Sequence, residues 1–92
     1  MAVVLIPVIF RGPTQGESSI SVPNGTVETC FAAVEARFPG LRELVIDVET
    51  GGIHRFVKVS VNGELLEHGA GALQLEVGDS DEIEVIAAIA GG

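Results

Sequence analysis

Residues 82–92 read EIEVIAAIAGG, and with them the 92-residue sequence ends. The apolar odd-numbered positions of this segment alternate at first with Glu82 and Glu84, a pattern typical of a β-strand with one buried face. The strand runs directly into Ala90-Gly91-Gly92. Glycine lacks a Cβ and adopts backbone angles closed to other residues, so a double glycine can thread a narrow channel. The segment predicts a strand that presents a slim terminal carboxylate to a partner.

A matching strand is predicted at the start of the chain. Ala2–Phe10 is apolar at both alternating sets of positions, which favours a strand covered on both faces. Arg11–Gly16 is rich in turn residues, and Ser18–Val22 can return as a second strand. We expect the first strand to be central in a sheet, with the final strand beside it and parallel, because such a connection is made by a right-handed crossover.

The middle of the chain predicts one helix and a second hairpin. Thr26 is a suitable N-cap, apolar residues follow it at helical spacing, and Pro39-Gly40 ends the helix. Phe56–Val61 alternates as a strand. Asn62-Gly63 then forms a hairpin turn, with Glu64–Glu67 as the returning strand.

The order of hairpin, helix, hairpin and final strand predicts the α+β class. A single mixed sheet packed on one main helix satisfies it, which is the β-grasp arrangement of ubiquitin-like folds. The expected division is a β-grasp domain over residues 1–89 and a flexible Gly-Gly tail over residues 90–92. A hydrophobic content of 47% is sufficient for the core of one small domain.

Charge and cysteine content exclude several classes of function. Thirteen acidic residues against five basic ones give a net charge of −8, so nucleic acids and anionic membranes are not expected partners. Cys30 is the only cysteine, which excludes a disulfide and a cysteine-built metal site. It falls on the apolar stripe of the helix and is predicted to be a buried thiol. No bound metal or cofactor is expected, and the predicted location is the cytoplasm.

Acidic residues crowd the segment before the tail, among them Asp79 and Asp81. They are either a solvated face that maintains solubility or a docking surface that steers the tail to a basic partner. His54 has no base or nucleophile partner in the sequence, so a structural or interface role is expected for it. His68 lies in a glycine-rich loop and is expected to be solvated.

Three features together resemble the MoaD/ThiS family of ubiquitin-like sulfur carriers. They are the apolar first strand, the turn Gly78-Asp79-x-Asp81-Glu82-Ile83 and the final Ala88-Ile89-Ala90-Gly91-Gly92. Within this family, His54-Arg55-Phe56-Val57 and the Ala-Ile-Ala-Gly-Gly ending are similar to the carriers that supply sulfide for cysteine synthesis in actinobacteria.

The resemblance implies a co-substrate and not an enzyme, with no catalytic residue of its own. An ATP-dependent, E1-like enzyme would adenylate Gly92, and sulfur would then displace AMP to leave a thiocarboxylate that serves a sulfur-accepting biosynthetic enzyme. Ala90 and Gly91 would thread the tail into the partner, and Ile89 would set its register. Docking contacts are expected from Arg55, Phe56, Asp79, Asp81 and Ile89.

The sequence leaves other functions open. The chain is alternatively a protein modifier, conjugated through Gly92 to a lysine of a target, or the small subunit of a molybdopterin synthase. A third possibility is a plain interaction domain that binds a partner through the sheet and the acidic turn, which contains Asp79 and Asp81. The sequence does not identify the metabolite that receives the sulfur.

Overall fold

The computed structural model describes residues 1–87 of the chain. Within them the regular elements are β1 (Ala2–Leu5), β2 (Ser19–Val22), β3 (Gly25–Thr26), α1 (Val27–Arg37), α2 (Arg42–Val45), β4 (Val57–Val61), β5 (Glu64–Leu65), β6 (Glu76–Val77) and β7 (Glu82–Ala87). Two short 3₁₀ helices, Val8–Phe10 and Ala70–Gln74, connect some of these elements.

Five strands form the main sheet in the order β2-β1-β7-β4-β5. β1 and β7 pair in parallel, with Val3 opposite Glu82 and Leu5 opposite Glu84. The other pairs of the main sheet are antiparallel. Helix α1 connects the β1–β2 hairpin to the second half of the sheet and packs on one of its faces. The predicted β-grasp fold, with the first strand inside the sheet and the last strand parallel to it, is confirmed.

The hydrophobic core lies between the inner face of the sheet and α1. Val4, Val59 and Ile83 point into it from three neighbouring strands, and Phe31 and Val34 meet them from the helix. All five side chains are inaccessible to solvent. Burying one such side chain stabilises the fold by roughly 1.5–3 kcal/mol, so this layer fixes the sheet on the helix.

Helix α1 begins at the predicted cap. The hydroxyl oxygen of Thr26 accepts a hydrogen bond from the N–H of Thr29 at 3.1 Å, which satisfies one of the free donors of the first turn. At the other end, the carboxylate of Glu35 accepts from the N–H of Gly40 and, at 3.0 Å, from that of Arg42. Glu35 therefore joins the end of α1 to the start of α2.

The Asn62-Gly63 hairpin turn is also confirmed. Both residues have positive φ, 52° at Asn62 and 89° at Gly63, as a two-residue turn of type I′ requires. The returning strand is shorter than predicted, because ladder pairing with β4 extends only over Glu64–Leu65.

The first strand ends five residues earlier than predicted, at Leu5 instead of Phe10. The cause is Pro7. In the parallel ladder the N–H of Val3 donates to the carbonyl of Asp81 at 3.0 Å, and alternation makes residue 7 the donor for Val85. Proline has no N–H, so the ladder stops and Val8–Phe10 forms a 3₁₀ turn.

The prediction that the first strand is covered on both faces is wrong. Ala2 and Val4 are buried, whereas Val3 and Leu5 are only partly buried on the outer face of the sheet. A second, two-stranded sheet of β3 and β6 was also not predicted, since the order of the elements in the sequence indicates a single sheet. Strands of two residues are too short to show a periodicity. No helix within residues 1–87 has the length and apolar character needed to cross a membrane.

Candidate functional site

Strand β7 leads toward the predicted tail, so its last residue, Ala87, is the root of the candidate site. Ala87 pairs with Val57, the first residue of β4. The predicted docking residue Ile89 and the predicted tail residues Ala90, Gly91 and Gly92 lie outside the described part of the chain. The site is therefore described by the side chains that surround Ala87.

Arg55 and Phe56, two residues predicted to dock on a partner, lie at this end of the sheet. They directly precede Val57, the partner of Ala87, and form a turn closed by a hydrogen bond from the Val57 N–H to the His54 carbonyl at 2.9 Å. The Arg55 guanidinium lies 4.8 Å from the centre of the Phe56 ring, within the range of a cation–π contact. Phe56 is 60% exposed, so this apolar side chain is accessible to a partner.

His54 holds the turn in place. Its backbone N–H donates to the Val45 carbonyl at 2.9 Å, and its ring Nε2 lies 3.1 Å from the Glu43 carbonyl. Its Nδ1 is 3.9 Å from a carboxylate oxygen of Asp47. These contacts support the predicted structural role. His68, expected to be solvated, is exposed, but its Nε2 lies 2.9 Å from the Val57 carbonyl and so braces the start of β4.

Asp79 and Asp81 lie at the opposite end of β7. They precede Glu82, and five residue steps along an extended strand separate Glu82 from Ala87 by about 17 Å. The structure therefore does not bring the two aspartates together with Arg55 and Phe56. The docking surface predicted at Asp79 and Asp81, one of the two interpretations of this segment, therefore lies apart from Arg55 and Phe56 and stays a prediction.

Both aspartate carboxylates have partners within the fold. Asp79 accepts from the N-terminal ammonium of Met1 at 2.6 Å and from the Asn24 amide at 2.9 Å. The hydrogen bond from the ammonium, followed by that from Asn24, lowers the pKa of Asp79. Asp81 accepts from the Gly78 N–H at 2.8 Å, and this bond is the main cause of the lowered pKa of its carboxyl.

A groove at the tail end of the sheet was not predicted. It has a volume of about 550 Å³ and is lined by Leu5–Ile9, Arg11, Ser18, Ser19 and Glu84–Ala87. We call it the β1–β7 groove. Val8 and Ile9 are 72% and 57% exposed on its rim. The signal in the sequence was Pro7, because a proline inside an apolar run marks the point where strand pairing ends.

Three of the five basic side chains lie near the root of the tail. Arg11 lines the β1–β7 groove, Arg55 lies beside Val57, and Lys58 pairs in register with Ile86. Glu84 lines the same groove as Arg11, and Asp47 lies beside His54, so this end of the sheet carries charges of both signs.

The described residues offer little chemistry of their own. Cys30 is inaccessible, as predicted, and burial raises the pKa of its thiol, which opposes formation of a nucleophilic thiolate. Within residues 1–87 no three acidic, histidine or cysteine side chains form a group able to hold a metal ion.

Comparison with known proteins places the chain in a family. Residues 11–92 match the ThiS family. The sulfur carrier protein CysO of Mycobacterium tuberculosis H37Rv is 34% identical over 90 residues, which cover 97% of this chain and 96% of the relative.

Solved structures give the same result. CysO in the crystal structure of the Amycolatopsis orientalis BexX/CysO complex superposes with a TM-score of 0.85 at 34% identity, over the full length of both chains. The crystal structure of M. tuberculosis CysO has a TM-score of 0.85 at 31% identity and covers 97% of this chain and 100% of its own. Family match, identity and superposition agree: the chain is a β-grasp protein that belongs to the ThiS family.

Proposed function

We propose that this protein is a sulfur carrier, which holds sulfur as a thiocarboxylate on Gly92 and delivers it to a biosynthetic enzyme. The observation that carries the proposal is the near full-length match to CysO, a protein named as a sulfur carrier, in a chain whose last strand leads into Ala90-Gly91-Gly92. The biosynthetic enzyme would use this sulfur to make cysteine or another sulfur-containing metabolite.

The chemistry explains why a partner enzyme is needed. A carboxylate repels nucleophiles, and oxide is a poor leaving group, so sulfur does not add to it directly. An oxygen of the Gly92 carboxylate first attacks the α-phosphorus of ATP and releases pyrophosphate. Sulfide then attacks the carbonyl carbon of the adenylate, AMP leaves, and a thiocarboxylate remains. ATP belongs to the activating enzyme in this scheme.

The described residues support a role in which the folded domain holds the C-terminal tail in position for a partner enzyme. β7 is paired with β1 as far as Glu84 and with β4 as far as Ala87, so the strand that leads to the tail is held inside the sheet. Cys30 is buried and does not compete for the activated carbonyl. The carrier is therefore a co-substrate of its partners and not a catalyst.

The partners are proposed to be an E1-like adenylating enzyme and a sulfur-accepting enzyme. A CysO from A. orientalis has been crystallised in complex with BexX, which supports docking of this chain on an enzyme of its own pathway. Phe56 and Arg55 are exposed beside the root of the tail and are proposed to contact that partner. The reaction is proposed to occur in the cytoplasm, where ATP is available.

Mass spectrometry tests the proposal. The protein is incubated with an E1-like enzyme from its own genome, ATP and sulfide, and the intact mass is then measured. A gain equal to the difference between sulfur and oxygen supports a thiocarboxylate, and deletion of Gly91 and Gly92 should abolish that gain. An unchanged mass in the full-length chain, together with ATP consumption by the enzyme on another carrier, contradicts the proposal. Conjugates of higher mass on denaturing gels would favour a protein modifier instead.

A further inference from the structure

Two backbone groups of β7 face the β1–β7 groove without a ladder partner. By the alternation of the parallel ladder, the carbonyl of Val85 and the N–H of Ala87 point toward β1. Pro7 has no N–H to donate to Val85, and its own carbonyl accepts from the N–H of Phe10 at 2.9 Å. Among the described residues the register of β1 with β7 therefore ends at Glu84, and one acceptor and one donor of β7 stay unpaired on this side.

The rim of the groove is an apolar turn that the fold does not bury. Val8–Phe10 places three large apolar side chains in one 3₁₀ turn, and none of them is buried. Val8 and Ile9 are each more than half exposed beside the groove, and Ile86 lines it from β7. Exposed apolar side chains that lie together beside a groove are typical of a surface that binds another molecule.

Two side chains of opposite charge line the same groove. They are Arg11 and Glu84, and within residues 1–87 neither of them forms an ion pair. The Nε of Arg11 donates to the Ile6 carbonyl at 3.1 Å, which leaves the other N–H groups of the guanidinium available to a carboxylate. Glu84 is exposed on the outer face of β7. A ligand that satisfies both side chains carries a carboxylate and a cation.

These features favour an extended segment of another protein as the occupant. An extended peptide offers N–H and C=O groups to an unpaired strand edge and side chains to the walls beside it. Charge complementarity defines those side chains, since Arg11 requires an acidic partner and Glu84 a basic one. A second copy of this chain is disfavoured, because each copy has a net charge of −8 and the two would repel each other.

We propose that the β1–β7 groove binds an extended segment of a partner protein, which pairs with Val85–Ala87 and carries an apolar side chain between an acidic and a basic one. The acidic side chain binds Arg11, the basic one binds Glu84, and the apolar one packs against the rim. This inference goes beyond the proposed function. It assigns a docking surface on the side of β7 that faces β1, and it requires no reaction of the carrier.

NMR titration of the whole chain with blocked peptides tests the proposal. The peptide Glu-Thr-Ile-Thr-Lys places one apolar residue between the two charges, and Lys-Thr-Ile-Thr-Glu covers the opposite direction along β7. At millimolar concentration one of the two should shift the amide signals of Val8, Ile9 and Ala87 and leave those of α1 unchanged. The amide proton of Ala87 should move downfield, because it gains a hydrogen bond. Unchanged groove signals with both peptides would overturn the proposal.

Variants of the chain and of the peptide test the two charges separately. An exposed ion pair changes an equilibrium by about 1.4- to 5-fold, so replacing the glutamate of the peptide by glutamine should weaken binding by that factor. In Arg11→Gln this replacement should have no effect, and in Glu84→Gln the peptide's lysine should lose its advantage over glutamine. Arg37→Gln and Glu67→Gln remove the same charges elsewhere and should keep both preferences. Preferences that persist in the two groove variants would overturn the charge assignment.

Val8→Ser tests the apolar rim. Val48→Ser is the matched control, because Val48 is also largely exposed but does not line the groove. Val8→Ser should weaken peptide binding several-fold, and Val48→Ser should leave it unchanged. Equal affinities of the two variants would overturn the contact with the rim. Groove shifts that appear when the protein is concentrated without peptide would assign the groove to a second copy and overturn the partner segment.

These outcomes are independent of sulfur transfer. A chain that gains sulfur but binds neither peptide keeps the proposed function and loses the docking groove. A chain that binds a peptide with the expected charge preference but never gains sulfur keeps the docking groove and loses the carrier function.

Discussion

The side chains of Asn62 and Asp81 join the β4–β5 turn to the start of β7. Asn62 Nδ2 donates to Asp81 Oδ1 at 2.9 Å, and Asn62 Oδ1 accepts from the N–H of Glu82 at 2.9 Å. Because Asp81 also accepts from the Gly78 N–H, one carboxylate closes its own turn and holds the neighbouring hairpin. The turn resembles the family pattern in sequence, and the structure gives it a role in stability.

Replacing Asp81 by asparagine should lower the thermal midpoint at neutral pH, since the charge-assisted acceptor is lost. The pKa of Asp81 is lowered in the folded state, so its stabilisation is complete above the ordinary aspartate pKa of about 3.9 and declines as the pH falls through the folded value. The difference in Tm between wild type and D81N should therefore shrink from pH 7 to pH 3. The exposed Glu67→Gln is the control, and an equal difference at both pH values would contradict this assignment.

Gly52 should not tolerate a side chain. A Cβ at this position would collide with the backbone carbonyl oxygen of His68, which also accepts the N–H of Ile53. Backbone cannot move as a flexible side chain does, so Gly52→Ala is expected to destabilise the protein by about 1–3 kcal/mol. Gly71→Ala is the matched control, because within residues 1–87 no atom beyond its own local backbone lies within 4 Å of the added methyl group. Urea denaturation of both variants measures the difference, and equal midpoints would refute the predicted collision.

Cys30 should resist alkylation in the folded protein. Its side chain is inaccessible and its thiol pKa is raised by burial, so the reactive thiolate is both scarce and shielded. Iodoacetamide at pH 8 should leave the native mass unchanged and add one group after denaturation in guanidinium. Rapid modification of the native protein would show that the helix opens easily at this point.

Phe56→Ala should weaken docking on the activating enzyme with little effect on stability, because the ring is mostly exposed. The expected signature is a higher KM for the carrier with an unchanged kcat, as for an interaction that contributes equally to ground-state and transition-state binding. Asp79→Asn is the comparison from the opposite end of β7. If Asp79→Asn raises KM as much as Phe56→Ala does, the partner surface extends along the whole sheet and the acidic turn docks as first predicted.

Sequence patterns predicted correctly those turns and helix ends that depend on only a few neighbouring residues. The φ values of Asn62 and Gly63 and the Thr26 cap depend on one or two residues, and both predictions were confirmed. The parallel pairing of β1 and β7 follows from the order of elements and the handedness of the crossover, so it was also predictable.

The arrangement of the candidate site was less predictable because it depends on where strands end. Asp79 and Asp81 are close to the tail in sequence, yet a six-residue strand carries them to the other end of the sheet. Arg11 is remote in sequence from Ala87, and the two residues line one groove because Pro7 ends the pairing of β1. The pairs β4–β5 and β3–β6 were too short to delimit from a pattern of alternation.

The position of β7 between two neighbours has a mechanical consequence. An enzyme that draws the tail into its active site pulls on β7 along the strand axis. The hydrogen bonds to β1 and β4 run roughly across that axis, so both ladders bear the load in shear and their bonds must yield together. An edge strand pulled sideways would instead open one bond after another, like a zipper. The carrier can thus be handed between enzymes by its last few residues while its sheet stays closed.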